Sequence, residues 1–411
     1  MAPRRRARSL WAYWRSEQRT LRQGFVALIL GTLTALVAGI TLASITGTLQ
    51  ELPGLLILIP AVLGMRGTIF GAIGARLGTS IHTGLFEVNR ERTGVLYQNV
   101  FVAIVSTLSS SLYLAVLAKI FALAFGLPSI SFFSFVTIAV VGGILDSILI
   151  LVLTIGLSVL SHRRGYDLDA VATPMVTAAA DMTTVPLLFL ATFLTKVGWL
   201  NTTLAIASIV VGLYAAIRGY LTDLPAARRI LVEMTLVILI TPLLDILAGT
   251  FVEARLERFV AFPGLLLLIP PFVANAGSLG GILSSRLSSK LQLGVLSPRG
   301  TPEGPALLDA SLIVAFAVAA FAFLGAVGLG YSVLTNKAYP GVMVMVGGTL
   351  VAGMMATAIA IVTAYYTAIG TTRFGWDPDN HSVPVITSVM DLAGTIVFLF
   401  ALSLFGVTLH G

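Results

Sequence analysis

The sequence predicts an all-α polytopic membrane protein of about 11 transmembrane helices, arranged as two parallel five-helix repeats joined by a linker helix. Three observations carry that reading. Of 411 residues, 57% are apolar and only 10% are charged, whereas a soluble domain carries about a quarter charged residues. The mean hydropathy of +0.98 likewise excludes a soluble globule and a disordered chain. The apolar residues gather in eleven runs, each long enough to cross about 30 Å of hydrocarbon as a helix of about 20 residues. Finally, the chain repeats itself at an offset of 210 residues.

The first run, 25–45, follows seven arginines (Arg4, Arg5, Arg6, Arg8, Arg15, Arg19, Arg22) and is too long for a signal-peptide core. It reads as a retained helix behind a basic segment, 1–22. The next runs lie near 53–83, 95–126, 130–161 and 171–196 and complete a first repeat over 23–197. A run near 199–217 forms a linker helix, which with its inner loop covers 198–229. The runs near 230–251, 263–293, 306–335, 340–369 and 383–409 make a second repeat over 230–411. Several exceed 25 residues and contain Gly and Pro, which predicts tilted, kinked or partly unwound helices.

Charge sets the orientation. With the N-terminus inside, inner segments hold 19 of the 25 lysines and arginines, the cytoplasmic excess expected of membrane insertion. Eleven spans then place the C-terminus outside. The net charge of +7 is accounted for by these loops, so no nucleic-acid partner is expected, and the lipid bilayer is the surrounding medium. The chain has no cysteine, which excludes disulfides, thiolate metal sites and cysteine nucleophiles.

Aligned without a gap, residues 53–84 match 263–294 at 12 of 32 positions, and 163–181 match 373–391 at 7 of 19. Five spans per repeat alone would invert the second copy. The linker span makes six per period, so both copies face the same way, related by a pseudo-two-fold along the membrane normal. The natural place for a solute path is that axis.

Aspartates within apolar spans are the strongest chemical signal, because a charge at a helix centre costs about 2.5–3.5 kcal/mol on the insertion scale. Asp181 and Asp391 are repeat-equivalent, each seven residues after a proline (Pro174, Pro384) and four after a threonine (Thr177, Thr387). Proline, threonine and aspartate at that spacing share one helical face. Two such faces across a pseudo-two-fold offer two carboxylates to one hard cation; alternatively, each carboxylate is bonded within its own half. Asp167 with Asp169, and Asp377 with Asp379, form D-x-D pairs at the inner mouth, read either as a cation-concentrating ring or as helix caps. A second repeated motif runs Pro60, Gly67, Thr68, Arg76 and Pro270, Gly277, Ser278, Arg286. Its small residues permit close helix approach or free a carbonyl for an ion, and its arginines read as boundary anchors. Asn275, whose counterpart is Met65, offers a neutral oxygen suited to Mg2+ or its hydration shell. The halves differ at Arg66, Asp146 and Asp245, which face Ala276, Ala356 and Ala35. Arg66 is expected to pair with Asp146 or Asp245, structurally or in coupling to a second ion.

At these residues the chain resembles the MgtE family of magnesium transporters, especially the solute carrier family 41 relatives in which two such membrane units are fused. The segments that carry the resemblance are DPDN at 377–380 running into Pro384, Thr387 and Asp391, its first-half counterpart ending at Asp181, the NAG at Asn275, and the two G-x8-R-L stretches. It implies a Mg2+ pathway between the units, with Asp181 and Asp391 holding a largely hydrated cation. The family's Gly-Asn after the second-helix proline is here Gly67-Thr68 and Gly277-Ser278, a departure that weighs against amide coordination there. No cytosolic regulatory domain is encoded, so magnesium sensing of that kind is not expected.

The function expected is divalent cation transport, most of all of Mg2+ as the carried ion, by a cell-membrane protein that works as a fused pseudo-dimeric monomer. The alternative is a Na+- or H+-coupled carrier of another small solute. An intramembrane aspartyl protease would need a G-x-G-D that the chain lacks, so no enzyme activity and no cofactor are expected.

Overall fold

The computed structural model describes residues 13–15, 17–84, 86–87, 91–164, 168–374 and 378–407. Among them there is no strand. The helices are α1 (Gln18–Ser44), α2 (Thr46–Glu51), α3 (Leu55–His82), α4 (Val95–Ala124), α5 (Phe132–Arg164), α6 (Leu168–Thr195) and α7 (Gly198–Tyr220). They continue as α8 (Pro225–Glu253), α9 (Leu256–Ala261), α10 (Pro263–Gln292), α11 (Gly304–Leu334), α12 (Met343–Phe374) and α13 (Pro378–Leu404). Eleven of these are long and apolar enough to cross a membrane, as the runs in the sequence require.

Local signals set the helix ends. Pro225 and Pro263 stand at the first helical positions of α8 and α10, where a missing N–H leaves no hydrogen bond unmade. Gly54 precedes α3 with φ +91°, a conformation open to glycine. The first six residues of α12, Met343–Gly348, wind as a π-helix, one of the departures from regular helix that the Gly-rich spans lead one to expect. Helices α2 and α9 are new relative to the sequence reading. Six residues such as TGTLQE show no resolvable period, which is why pattern alone misses them.

The chain divides into two compact units: residues 40–256, and residues up to 39 together with 257–411. In the first, α3 lies against α5, α6 and α8, with α4 and α7 alongside. In the second, α10 lies against α11, α12 and α13, and α1 joins it. A Cβ on Gly39 of α1 would sit 2.0 Å from the Leu267 carbonyl oxygen of α10. A Cβ on Gly249 of α8 would sit 2.5 and 2.6 Å from the Leu56 and Ile57 oxygens of α3. Backbone therefore meets backbone at both places, which only glycine allows. The units cut across the sequence segments 23–197 and 230–411: the opening helix of each segment packs with the other.

Candidate functional site

Asp181 lies in α6 within the span Met175–Thr195, and Asp391 in α13 within Ser382–Leu404. Each aspartate is a half-buried residue, as are Thr177 and Thr387. Asp181 belongs to the 40–256 unit and Asp391 to the other. The Thr387 hydroxyl donates to the backbone oxygens of Val383 and Pro384, at 3.1 and 3.0 Å. A Cβ on buried Gly277 would lie 3.4 Å from Thr387 Cγ2, so the motif on α10 meets the one on α13 directly. At Gly67 a Cβ would meet nothing within 4 Å.

Of the D-x-D pairs, Asp167 and Asp377 lie outside the described residues, and the side chains of Asp169 and Asp379 are not described either. Asn275 is 1% exposed. Its Oδ1 accepts a 2.8 Å bond from Thr32 of α1, while its Nδ2 is buried without a partner. The amide is thus engaged inside its unit.

Around these residues runs a feature that motif reading missed. Along α3, Thr68, Gly71, Ala75 and Thr79 are partly or fully exposed, and along α10 so are Ser278, Gly281, Ser285 and Ser289. Thr68 donates to the Gly64 oxygen (3.1 Å), Thr79 to Ala75 (3.1 Å) and Ser289 to Ser285 (3.0 Å). With its one proton committed to its own helix, each of these hydroxyls presents only acceptor lone pairs outward. A three- or four-residue spacing of small and hydroxyl residues in these spans is the signal that could have found the stripe.

The asymmetric charges form a network of their own. Arg66 pairs with Asp146, Nε to Oδ2 3.6 Å, with both side chains 1% exposed. Asp245 is buried in α8. The guanidinium also donates to Thr107 (3.1 Å), Ser147 (2.5 Å) and Ser111 (3.0 Å). Asp146 accepts from Thr183 (2.6 Å) and Thr184 (2.7 Å) of α6.

Two further polar anchors escaped the sequence. Glu253, 7% exposed, accepts from the Gly54 and Leu56 amides at 2.6 and 3.1 Å, satisfying orphan donors at the start of α3. Asp309, fully buried, receives Tyr13 (2.6 Å), Arg286 (2.8 Å) and Lys290 (2.5 Å). Arg286 thus has ion-pair partners in Asp309 and Glu17. Burial, then the bond to Asp309, raises the Tyr13 phenol above its ordinary value. Among the described residues no three His, Asp or Glu side chains come together as a direct metal cage.

Eleven helices long and apolar enough to cross a membrane define a multi-pass membrane protein. The family model described as "Divalent cation transporter" matches residues 59–191 and again 269–401. The chain belongs to that family, MgtE. Solute carrier family 41 member 3 of Mus musculus is 25% identical over 380 residues, covering 84% of this chain and 74% of the mouse protein. The Rattus norvegicus member 3 is 24% identical over 408 residues, covering 92% and 85% respectively. Solute carrier family 41 member 2 of Xenopus laevis is 23% identical over 386 residues, covering 84% of this chain and 64% of its own length. No solved structure matches.

Proposed function

We propose that this transporter carries Mg2+ as a largely hydrated ion between two parallel repeats, with Asp181 and Asp391 serving one ion jointly. The carrying observation is the repetition of a half-buried aspartate and threonine on equivalent helices, beside helices whose exposed faces offer hydroxyl acceptors. Mg2+ dehydrates reluctantly and is commonly held through one or two carboxylates while keeping several waters. Those waters point their hydrogens outward, so the wall they need is one of acceptors. Thr68, Thr79, Thr387 and Ser289, whose protons are spent on their own helices, supply one.

The element pattern supports the duplication. Six helices from α1 to α6 correspond to six from α8 to α13 at the same offset, and α7 is the linker that keeps the copies parallel. In this reading the N-terminus is cytoplasmic, the C-terminus is outside, and the fused pair works as a monomer.

A divalent ion one water layer from each carboxylate, about 4.5 Å away, gains on the order of 7 kcal/mol of Coulomb energy per carboxylate at an effective dielectric of about 20, before desolvation. Shared ligation makes losses non-additive. In proteoliposomes, Asp181→Asn and Asp391→Asn should each strongly impair Mg2+ flux, and the double variant should be little worse than either. Half the flux in each single variant and none in the double would instead assign separate sites. Full flux in both singles sinks the proposal.

A further inference from the structure

The Arg66–Asp146 network exists in one half only, and the other half shows what the fold does without it. Arg66, Thr107, Ser111, Asp146, Thr183 and Thr184 correspond at the 210-residue offset to Ala276, Ala317, Phe321, Ala356, Ala393 and Gly394. Gly143 makes room for the network: a Cβ there would lie 2.2 Å from Arg66 Nη2. Its equivalent, Gly353, makes the same room for a different occupant, since a Cβ would lie 2.1 Å from Phe321 Cγ. Phe321 packs with Phe272 (5.0 Å between ring centres), which in turn packs with Phe398 (4.9 Å). One glycine niche thus takes a guanidinium and the other a phenyl ring. Apolar replacement of a buried ion pair is often neutral or stabilising, so packing alone does not account for the charged version.

What the charged version adds is a hold on α6. Thr183 and Thr184 are consecutive, so their side chains leave the helix about 100° apart. Both nevertheless reach the two oxygens of one carboxylate, at 2.6 and 2.7 Å. Rotating α6 to shorten one bond lengthens the other, so Asp146 fixes the azimuth of this turn. Asp146 is itself held by Arg66, and Arg66 by three hydroxyls from α4 and α5. Asp181 sits two and three residues before the clasped threonines, on the same turn. On α13 the corresponding Ala393 and Gly394 carry no hydroxyl.

We propose that Arg66 and Asp146 are positioning residues for the Asp181 carboxylate, acting through Thr183 and Thr184. Asp181 is thereby pre-aimed at the ion. The proposal rests on the reading of Asp181 as an ion ligand, and its effect belongs in affinity and selectivity rather than in maximal rate.

The test measures initial Mg2+ uptake in proteoliposomes across Mg2+ concentration, with and without cobalt hexammine as competitor. Thr183→Ala/Thr184→Ala should raise the apparent KM about tenfold, keep most of the maximal rate, and weaken inhibition by cobalt hexammine in parallel. Thr183→Ser/Thr184→Ser, which restores both hydroxyls, should behave as wild type. A second variant guards against misfolding by installing the other half's residues at the network and at the partners of its phenyl ring: Arg66→Ala, Thr107→Ala, Ser111→Phe, Asp146→Ala, Ser147→Thr, Thr183→Ala, Thr184→Gly, Val62→Phe and Leu188→Phe. It should fold and show the same KM rise. A KM within twofold of wild type in either folded variant overturns the proposal. So does loss of folded protein in both, which would make the network a requirement of folding. Asp181→Asn in the same assay separates the two readings: if it leaves KM and rate unchanged, Asp181 is no ligand, whatever the clasp does.

Discussion

Glu253 shows how much a single side chain can settle. It occupies the last turn of α8 and turns both carboxylate oxygens onto the amides of Gly54 and Leu56. Those amides open α3, the helix that carries Arg66, Gly67 and Thr68. Removing the carboxylate leaves two buried donors unmet, each costing about 1–3 kcal/mol. Glu253→Ala should therefore lower the melting temperature of the detergent-solubilised protein by several degrees, while Glu257→Ala, at an exposed position, should not. An unchanged melt for Glu253→Ala would mean that the start of α3 finds its partners elsewhere. At this scale the sequence is partly legible. A charge in an apolar run announces itself, and so Arg66 and Asp146 stand out in the sequence alone. Which aspartate Arg66 meets does not, because pairing depends on how α3 and α5 are rotated, and spacing along one helix carries no information about its neighbour. The clasping threonines are invisible for the same reason: Thr is ordinary in a membrane helix until a carboxylate faces it.

Helices are the most legible elements, because length and hydropathy are both one-dimensional quantities. Eleven apolar runs correspond to eleven candidate spans, with ends moved by a few residues where polar flanks continue the helix. What self-similarity does not disclose is packing: it says which segments are alike, and not which lie together. Gly39 and Gly249 are repeat equivalents, and each seats its helix on the backbone of the helix opening with Pro263 or following Gly54. An added methyl must displace a carbonyl oxygen at 2.0 Å in one case and two oxygens at 2.5 and 2.6 Å in the other. Overpacking of this kind costs about 1–3 kcal/mol or more. Gly39→Ala and Gly249→Ala should each lower thermal stability, whereas Gly47→Ala, where a Cβ meets nothing within 4 Å, should be neutral. Equal melts for all three would show that the helices part at no cost.

Over the whole molecule, the units of packing and the units of repetition differ, and this bears on assembly. The unit of residues 40–256 takes α8 from beyond α7, and the unit containing 257–411 takes α1 from before it. In this arrangement neither sequence half holds all the helices of a unit. In the membrane, helices associate by close packing rather than by hydrophobic expulsion, so the glycine seats at positions 39 and 249 are the contacts on which each exchanged helix depends. Cutting the chain in the loop between α7 and α8, into residues 1–222 and 223–411, leaves every span intact while separating each exchanged helix from its own unit. Co-expressed, the two fragments should copurify through a tag on either one and recover Mg2+ flux, and Gly39→Leu with Gly249→Leu should abolish copurification. Expressed alone, each should be recovered poorly. One competing outcome follows from the duplication itself: α1 could occupy the α8 seat of its own half, because the two seats are built alike. Fragments that accumulate separately, remain monodisperse and fail to copurify would establish that unexchanged arrangement and overturn the exchanged one.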